Sequence, residues 1–448
     1  MTRRGNHPCS VAGLPIRCRR VPWPSIPHSF SATAIDPSPL PVQPFSPFPA
    51  RIAPFIGFLL AMYFLVGRWS FGRLDGSLDA APLIEQPRVW IVALLVPLVV
   101  LLRCGSTSAN LRSRVMSVDV AIFVFLAYMI ISSCWSPSSE LAAEKAIEMS
   151  LLLTVALSIS VARPATTHDE LERGLWWTIV LTGILMAALA ILERSEGRIH
   201  APGGGPNTFG RNMGLMFLGA AYLASTYGAK AKPACVAAMV IALLLVLLCG
   251  SRGALLATIV GAFVLLITVR GSLITKLATA AFTAVIGLTL LFNTGMGNSA
   301  LDVFQTRIVD TTIHDRYLAA RDDLWLDAVD WAIERPWFGW GLNGYRANSW
   351  TYPHNMFLEV IVEGGVVGLL LLLNIARAWF SEIRRHAFRV PRVPLAALAL
   401  TFTAAQTSGD LFDSRGVFLM VTLSVPQVAA LRRTAFQHRT RLALSHPH

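Results

Sequence analysis

Long apolar runs dominate the pattern of this chain. They fall at about 52–66, 88–102, 116–135, 146–162, 174–192, 209–227, 233–249, 253–269, 273–293, 356–375, 393–409 and 416–431. Most approach the ~20 residues that carry a helix across the hydrocarbon core of a bilayer. In that solvent every backbone group must find its partner within the protein, so the runs are read as α-helices. The pattern predicts an all-α polytopic membrane protein with about twelve transmembrane helices. Residues 1–50 carry dense Pro and Ser and no sustained apolar run, which excludes a signal-peptide core there and predicts a disordered segment.

One sizeable polar connection interrupts the runs, at 294–355, between the ninth and tenth spans. Within it Asp322 to Glu334 predicts an amphipathic helix. Leu324, Ala328 and Ala332 recur every fourth residue, and Trp325, Val329 and Ile333 form the adjoining row. Asp322 and Asp323 suit its first turn, where carboxylates favour the macrodipole, and Pro336 ends it. The Trp337 and Trp340 indoles fit a membrane interface, so this helix is expected to lie along the membrane surface.

Composition agrees with a bilayer environment: 54% of residues are hydrophobic and only 14% charged, a balance too apolar for a soluble chain. The net charge of +12 does not mark a nucleic-acid binder, because the basic residues lie in short clusters between apolar runs. They read instead as a topology signal. With both termini cytoplasmic, the inside segments hold most of the Lys and Arg, including Arg384, Arg385, Arg389, Arg392, Arg432 and Arg433. The chain then divides into a cytoplasmic segment 1–50, nine spans over 51–293, an external loop 294–355, three spans over 356–431 and a basic cytoplasmic tail 432–448. The six cysteines show no spacing suited to a structural zinc.

Five residues carry the strongest chemical signal. Arg252, in Ser251-Arg252-Gly253, is squeezed between two apolar runs on the side where topology does not call for a cation. Small neighbours leave room for a ligand to approach it. His354 and Asn355 close the polar loop, and Glu359 and Glu363 follow Asn355 at intervals of four, on one helix face running into an apolar span. Asp322, Asp323 and Asp327 superficially resemble a magnesium-diphosphate motif, but the spacing is off by one and a solvated helix face explains them. Gly203-Gly204-Gly205 lacks the context of a phosphate loop and reads as a turn.

In order along the chain, Ser251-Arg252-Gly253, Arg321 with Trp325, Pro336 with Gly339 and Gly341, His354-Asn355, and Glu363 with Gly365 and Gly368 resemble the O-antigen ligase and O-antigen polymerase superfamily of bacterial membrane glycosyltransferases. The resemblance covers about residues 250–370, with a vaguer similarity around Pro206-Asn207. It implies an integral-membrane glycosyltransferase fold, a bacterial inner-membrane location and a glycan donor on undecaprenyl diphosphate. The acceptor would be a glycan or lipid A core hydroxyl, met at the external face, with membrane lipid as the other partner and no nucleic acid.

Guanidinium binds phosphate oxygens in bidentate fashion and stays charged, so Arg252 and Arg321 suit the diphosphate. His354 would act on the acceptor hydroxyl as general base. Arg316, Asn355, Glu359, Glu363 and Trp325 complete the expected substrate-binding set, with Arg316 an alternative to Arg321. Gly364 stands where the family often has a larger apolar residue, which is expected to leave that helix looser. The resemblance further implies an inverting transfer without metal or cofactor. A polymerase, a protein O-oligosaccharyltransferase and, from another class, a polytopic glycolipid or solute transporter are the competing readings. The transporter would call for internal repeats, and none is evident.

Overall fold

The computed structural model describes residues 47–67, 83–104, 116–162, 168–192, 205–269, 321–349, 351–386 and 390–425, with the isolated positions 199, 289 and 305. The ninth expected span, most of the loop before Arg321 with Arg316, most of the N-terminal segment and the basic tail lie outside the described residues. The elements assigned within them are helices: α1 (Pro47–Val66), α2 (Pro87–Cys104), α3 (Ser117–Ile131), α4 (Ser139–Ala162), α5 (His168–Leu192), α6 (Pro206–Thr226), α7 (Lys232–Leu248), α8 (Arg252–Thr268), α9 (Arg321–Glu334), α10 (Gly344–Ser349), α11 (Met356–Arg385), α12 (Arg392–Ala405) and α13 (Arg415–Leu423). Five are long and apolar enough to cross a membrane: Pro87–Cys104, Ser117–Trp135, Ser139–Ala162, Asp169–Leu192 and Met356–Arg385. Ile52–Val66, Lys232–Leu248, Arg252–Thr268 and Arg392–Ala405 are apolar but shorter.

The bundle is greasy outside as well as inside. Leu181 and Leu185 on α5 and Phe263 on α8 stay 57%, 58% and 59% exposed. Such outward faces suit lipid, where association depends on close packing more than on burial from water. Small residues supply that packing: Gly57 of α1 meets the backbone of α5 at Leu171, and Gly174 of α5 meets Pro54, so a methyl group at either would collide with main chain. Central to the bundle is α6, with Phe209, Met213, Leu215, Met216 and Leu218 all buried, packed against α5, α7, α8 and α12.

Helix α9 matches the expected amphipathic segment, although its buried face differs. Ala328 is fully enclosed with Tyr345 and Val362, and Trp331, Ala332 and Ile361 pack around them. Val329 and Ile333 remain 47% and 70% exposed. The reason is Tyr345, whose hydroxyl donates to the Leu324 carbonyl at 2.8 Å and whose ring sits 4.9 Å from that of Trp331. This draws the Ala328–Trp331 side inward.

Candidate active site

The most distinctive local feature is a break in α11. At Gly365 the backbone turns to φ 64°, ψ −165°, outside the helical region. The amides of Val366 and Val367 would ordinarily donate to the carbonyls of Val362 and Glu363, four residues earlier. Both bonds are replaced by one turn from the polar loop: Val366 N donates to Pro336 O (2.7 Å) and Val367 N to Trp337 O (3.2 Å), while Trp340 N and Gly341 N donate to Val362 O (2.8 Å) and Glu363 O (2.9 Å). These four groups thus all keep partners, whose loss hydrocarbon would penalise heavily. Gly339 (φ 68°), Gly341 (φ 85°) and Gly365 all need the left-handed region, and each presses against main chain. Pro-x-x-Gly-x-Gly and Glu-x-Gly are thus two halves of one joint. Gly364 is not loose: the Tyr128 hydroxyl donates to its carbonyl at 2.6 Å, and a Cβ would lie 3.1 Å from Met129 Sδ. A larger residue would have to displace both neighbours.

Above the joint stands His354, at φ 54°, a left-handed conformation rare for a side-chain-bearing residue and concentrated at functional sites. Both flanks hold it there. Trp325 Nε1 donates to the Pro353 carbonyl at 2.9 Å, and Asn355 caps α11, its Oδ1 accepting from Phe357 N (3.0 Å) and Leu358 N (3.2 Å). The His354 Nδ1 is buried and has no hydrogen-bond partner among the described residues. Burial and then the nearby Arg321 guanidinium hold the imidazole below the ordinary histidine value, against the opposing pull of the Gly409 carbonyl, Asp413 and Asp410.

Arg321 opens α9, one turn before Trp325, close enough for its charge to act on His354 and for that of Arg252 to act on it. Burial and the Arg252 charge depress its basicity, and it makes no ion pair with a described carboxylate. Two guanidiniums that share one region in this way can hold a polyanion. Arg252 is fixed from below. The Ser251 hydroxyl caps α8 by accepting from Ala254 N (3.2 Å) and donates to Asn207 Oδ1 (2.7 Å), while Gly253 packs against Thr407. The structure therefore brings Arg252, Arg321, Trp325, His354 and Asn355 to one end of the bundle. Arg316 lies outside the described residues.

Glu359 and Glu363 are fully enclosed and meet a residue that the sequence pattern did not single out. Lys145, on α4 and 1% exposed, donates to Glu359 Oε1 (2.5 Å) and to Glu363 Oε1 (2.9 Å) and Oε2 (3.0 Å). Asp410 and Asp413, in the turn between α12 and α13, were missed as well. The only sequence signal for that turn was a pair of acids spaced by three residues beside two apolar runs.

Comparison with known proteins adds a family. Residues 237–373 match the family described as O-antigen ligase, an interval holding Arg252, Arg321, Trp325, His354, Asn355, Glu359 and Glu363. An O-antigen ligase of Pseudomonas aeruginosa is 32% identical over 114 residues, which is 23% of this chain and 27% of that protein. Lys145, Asp410 and Asp413 fall outside the matched interval.

Proposed function

We propose that this chain, which is similar to the O-antigen ligase family over residues 237–373, transfers a glycan from undecaprenyl diphosphate to an acceptor hydroxyl, that of a lipid A core sugar, at the external face of the inner membrane. One observation supports this above others: the Arg252 charge acts on Arg321 and the Arg321 charge acts on His354, which gathers two cations and a candidate base at one end of the bundle.

In the proposed step the acceptor oxygen attacks the anomeric carbon from the face opposite the diphosphate. The bond from that carbon to the diphosphate breaks, and its electron pair leaves on a phosphate oxygen held by Arg252 and Arg321. The hydroxyl proton passes to the His354 imidazole. Arg316 would extend the cationic rim. Trp325 and Asn355 hold the histidine's backbone, and Glu359 and Glu363 tie the first turns of α11 to Lys145 on α4. Lipid diphosphate is a good leaving group, so fixed cations suffice and the transfer is proposed to be inverting and metal-independent.

The test is product identity. Purified protein is given a defined undecaprenyl-diphosphate oligosaccharide, with and without lipid A core, in EDTA. Glycosylated core supports the reading. Extension of the lipid-linked chain itself would make the protein a polymerase, and strict dependence on added magnesium would overturn the metal-free mechanism.

A further inference from the structure

We propose that Lys145 is a positioning residue for His354: its buried ammonium clamps both flanks of the histidine to α4. The inference rests on His354 being the base.

All three ammonium protons are used, two on the Glu363 carboxylate and one on Glu359 Oε1. Glu363 also accepts the Asn343 amide, whose residue sits at φ 61° and whose side chain donates to Leu141 O on α4 at 2.8 Å. On the other flank the ammonium lies 5.7 Å from the centre of the Tyr352 ring, two residues before His354. Glu359 comes five residues after it. One cation therefore joins α4, the first turns of α11, the turn at Asn343 and the segment entering His354.

Stability alone does not account for such a cluster. Buried ion pairs are commonly neutral or unfavourable relative to well-packed apolar residues of the same volume. Here one cation meets two carboxylates, with Asp410 close by and 1% exposed, and Glu359 Oε2 has no hydrogen-bond partner among the described residues. The arrangement is retained at a cost, beside the segment that enters the strained His354. The charges acting on that imidazole are Arg321 from α9 and Asp410 and Asp413 from the turn before α13, so the Lys145–Glu359–Glu363 group reaches it through the position of the chain on either side.

The experiment measures kcat and donor KM of the full-length protein alongside its thermal midpoint. Lys145→Met should lose about 10-fold in kcat with donor KM little changed, because the clamp is gone. Lys145→Arg keeps a cation that reaches both carboxylates and should recover most of that loss, whereas Glu359→Gln loosens one flank and should lower kcat with donor KM unchanged. Wild-type kcat in Lys145→Met, losses in donor KM equal to those in kcat, or the same loss in Lys145→Met and Lys145→Arg would overturn the proposal. Should Lys145→Met fail to fold, Lys145→Arg and Glu359→Gln decide. A wild-type kcat/KM profile that does not follow the His354 titration, read by diethyl pyrocarbonate modification and mass spectrometry, would instead sink the reading of His354 as base.

Discussion

Trp325 donates its indole N–H to the Pro353 carbonyl at 2.9 Å, tying α9 to the residue just before His354. The same helix, one turn earlier, presents Arg321. A single helix thus carries Arg321 and holds the residue before the strained histidine, so the spacing between the proposed anion site and the proposed base is set by α9. Replacing Trp325 by Phe keeps the packing and removes one neutral hydrogen bond, costing about 1 kcal/mol of local stability. The expected result is a loss of about 10-fold in kcat with donor binding unchanged, since small misplacements of a reacting group are expensive. Single-turnover transfer at saturating donor measures it; equal losses in donor affinity would place Trp325 in the diphosphate site instead.

The joint at Gly365 makes a separate prediction about folding. Alanine there meets a left-handed backbone, worth roughly 1–2 kcal/mol, and its methyl would collide with the Trp337 carbonyl. Gly365→Ala should lower the thermal midpoint in detergent by several degrees and disturb the turn at Pro336–Gly341. Gly228→Ala, where nothing lies within 4 Å of an added Cβ, is the control and should change little. Equal midpoints for the two variants would mean that the loop does not cap the broken helix.

Much of the helical layout was legible because spans are long and uniformly apolar. The expected starts at 209 and 253 lie within three residues of α6 and α8, which begin at Pro206 and Arg252. Polar ends were harder. The fourth apolar run was placed from 146, yet α4 begins at Ser139, so Lys145 sits six residues inside a helix and is enclosed. Its neighbours Glu140 and Glu144 made that stretch look like solvated connection, and only the carboxylates on α11 explain its burial. Asp410 was hidden in the same way by the end of an apolar run. Arg252, Arg321 and His354 were picked out as separate signals, but their meeting depends on α9 packing on α11 and α8 on α12, which no local pattern encodes. The glycine motifs were visible as spacing, while their exchange of hydrogen bonds across the break was not.

The paired arginines predict a difference between charge and geometry. Lysine keeps the charge but loses the planar fork that grips two phosphate oxygens. Arg252→Lys and Arg321→Lys should each weaken donor binding about 10-fold or more, as one bidentate charged contact is worth about 1.5–3 kcal/mol. The protein should still insert and keep its thermal midpoint. Arg316→Lys should matter less. Direct measurement of donor affinity in detergent decides it, and an essential Arg316 with a dispensable Arg321 would mean that the wrong loop arginine has been placed at the diphosphate.

His354 makes the prediction that most directly tests the chemistry. Its imidazole is held below the ordinary histidine value by burial and by Arg321, so at neutral pH it is unprotonated and able to accept the acceptor's proton. The rate should therefore be lost on acidification, along a limb of kcat/KM lying below about 6.5. Asp413 opposes that depression, so Asp413→Asn should move the limb further toward acid, whereas Arg321→Gln, which removes a depressing charge, should move it toward neutrality. His354→Ala should cost on the order of 10²- to 10⁴-fold in transfer, the usual yield of general base catalysis, and should flatten the limb while donor affinity stays near the wild-type value. A His354→Ala protein that transfers normally, or that fails only because donor no longer binds, would show that this histidine does not act on the acceptor hydroxyl.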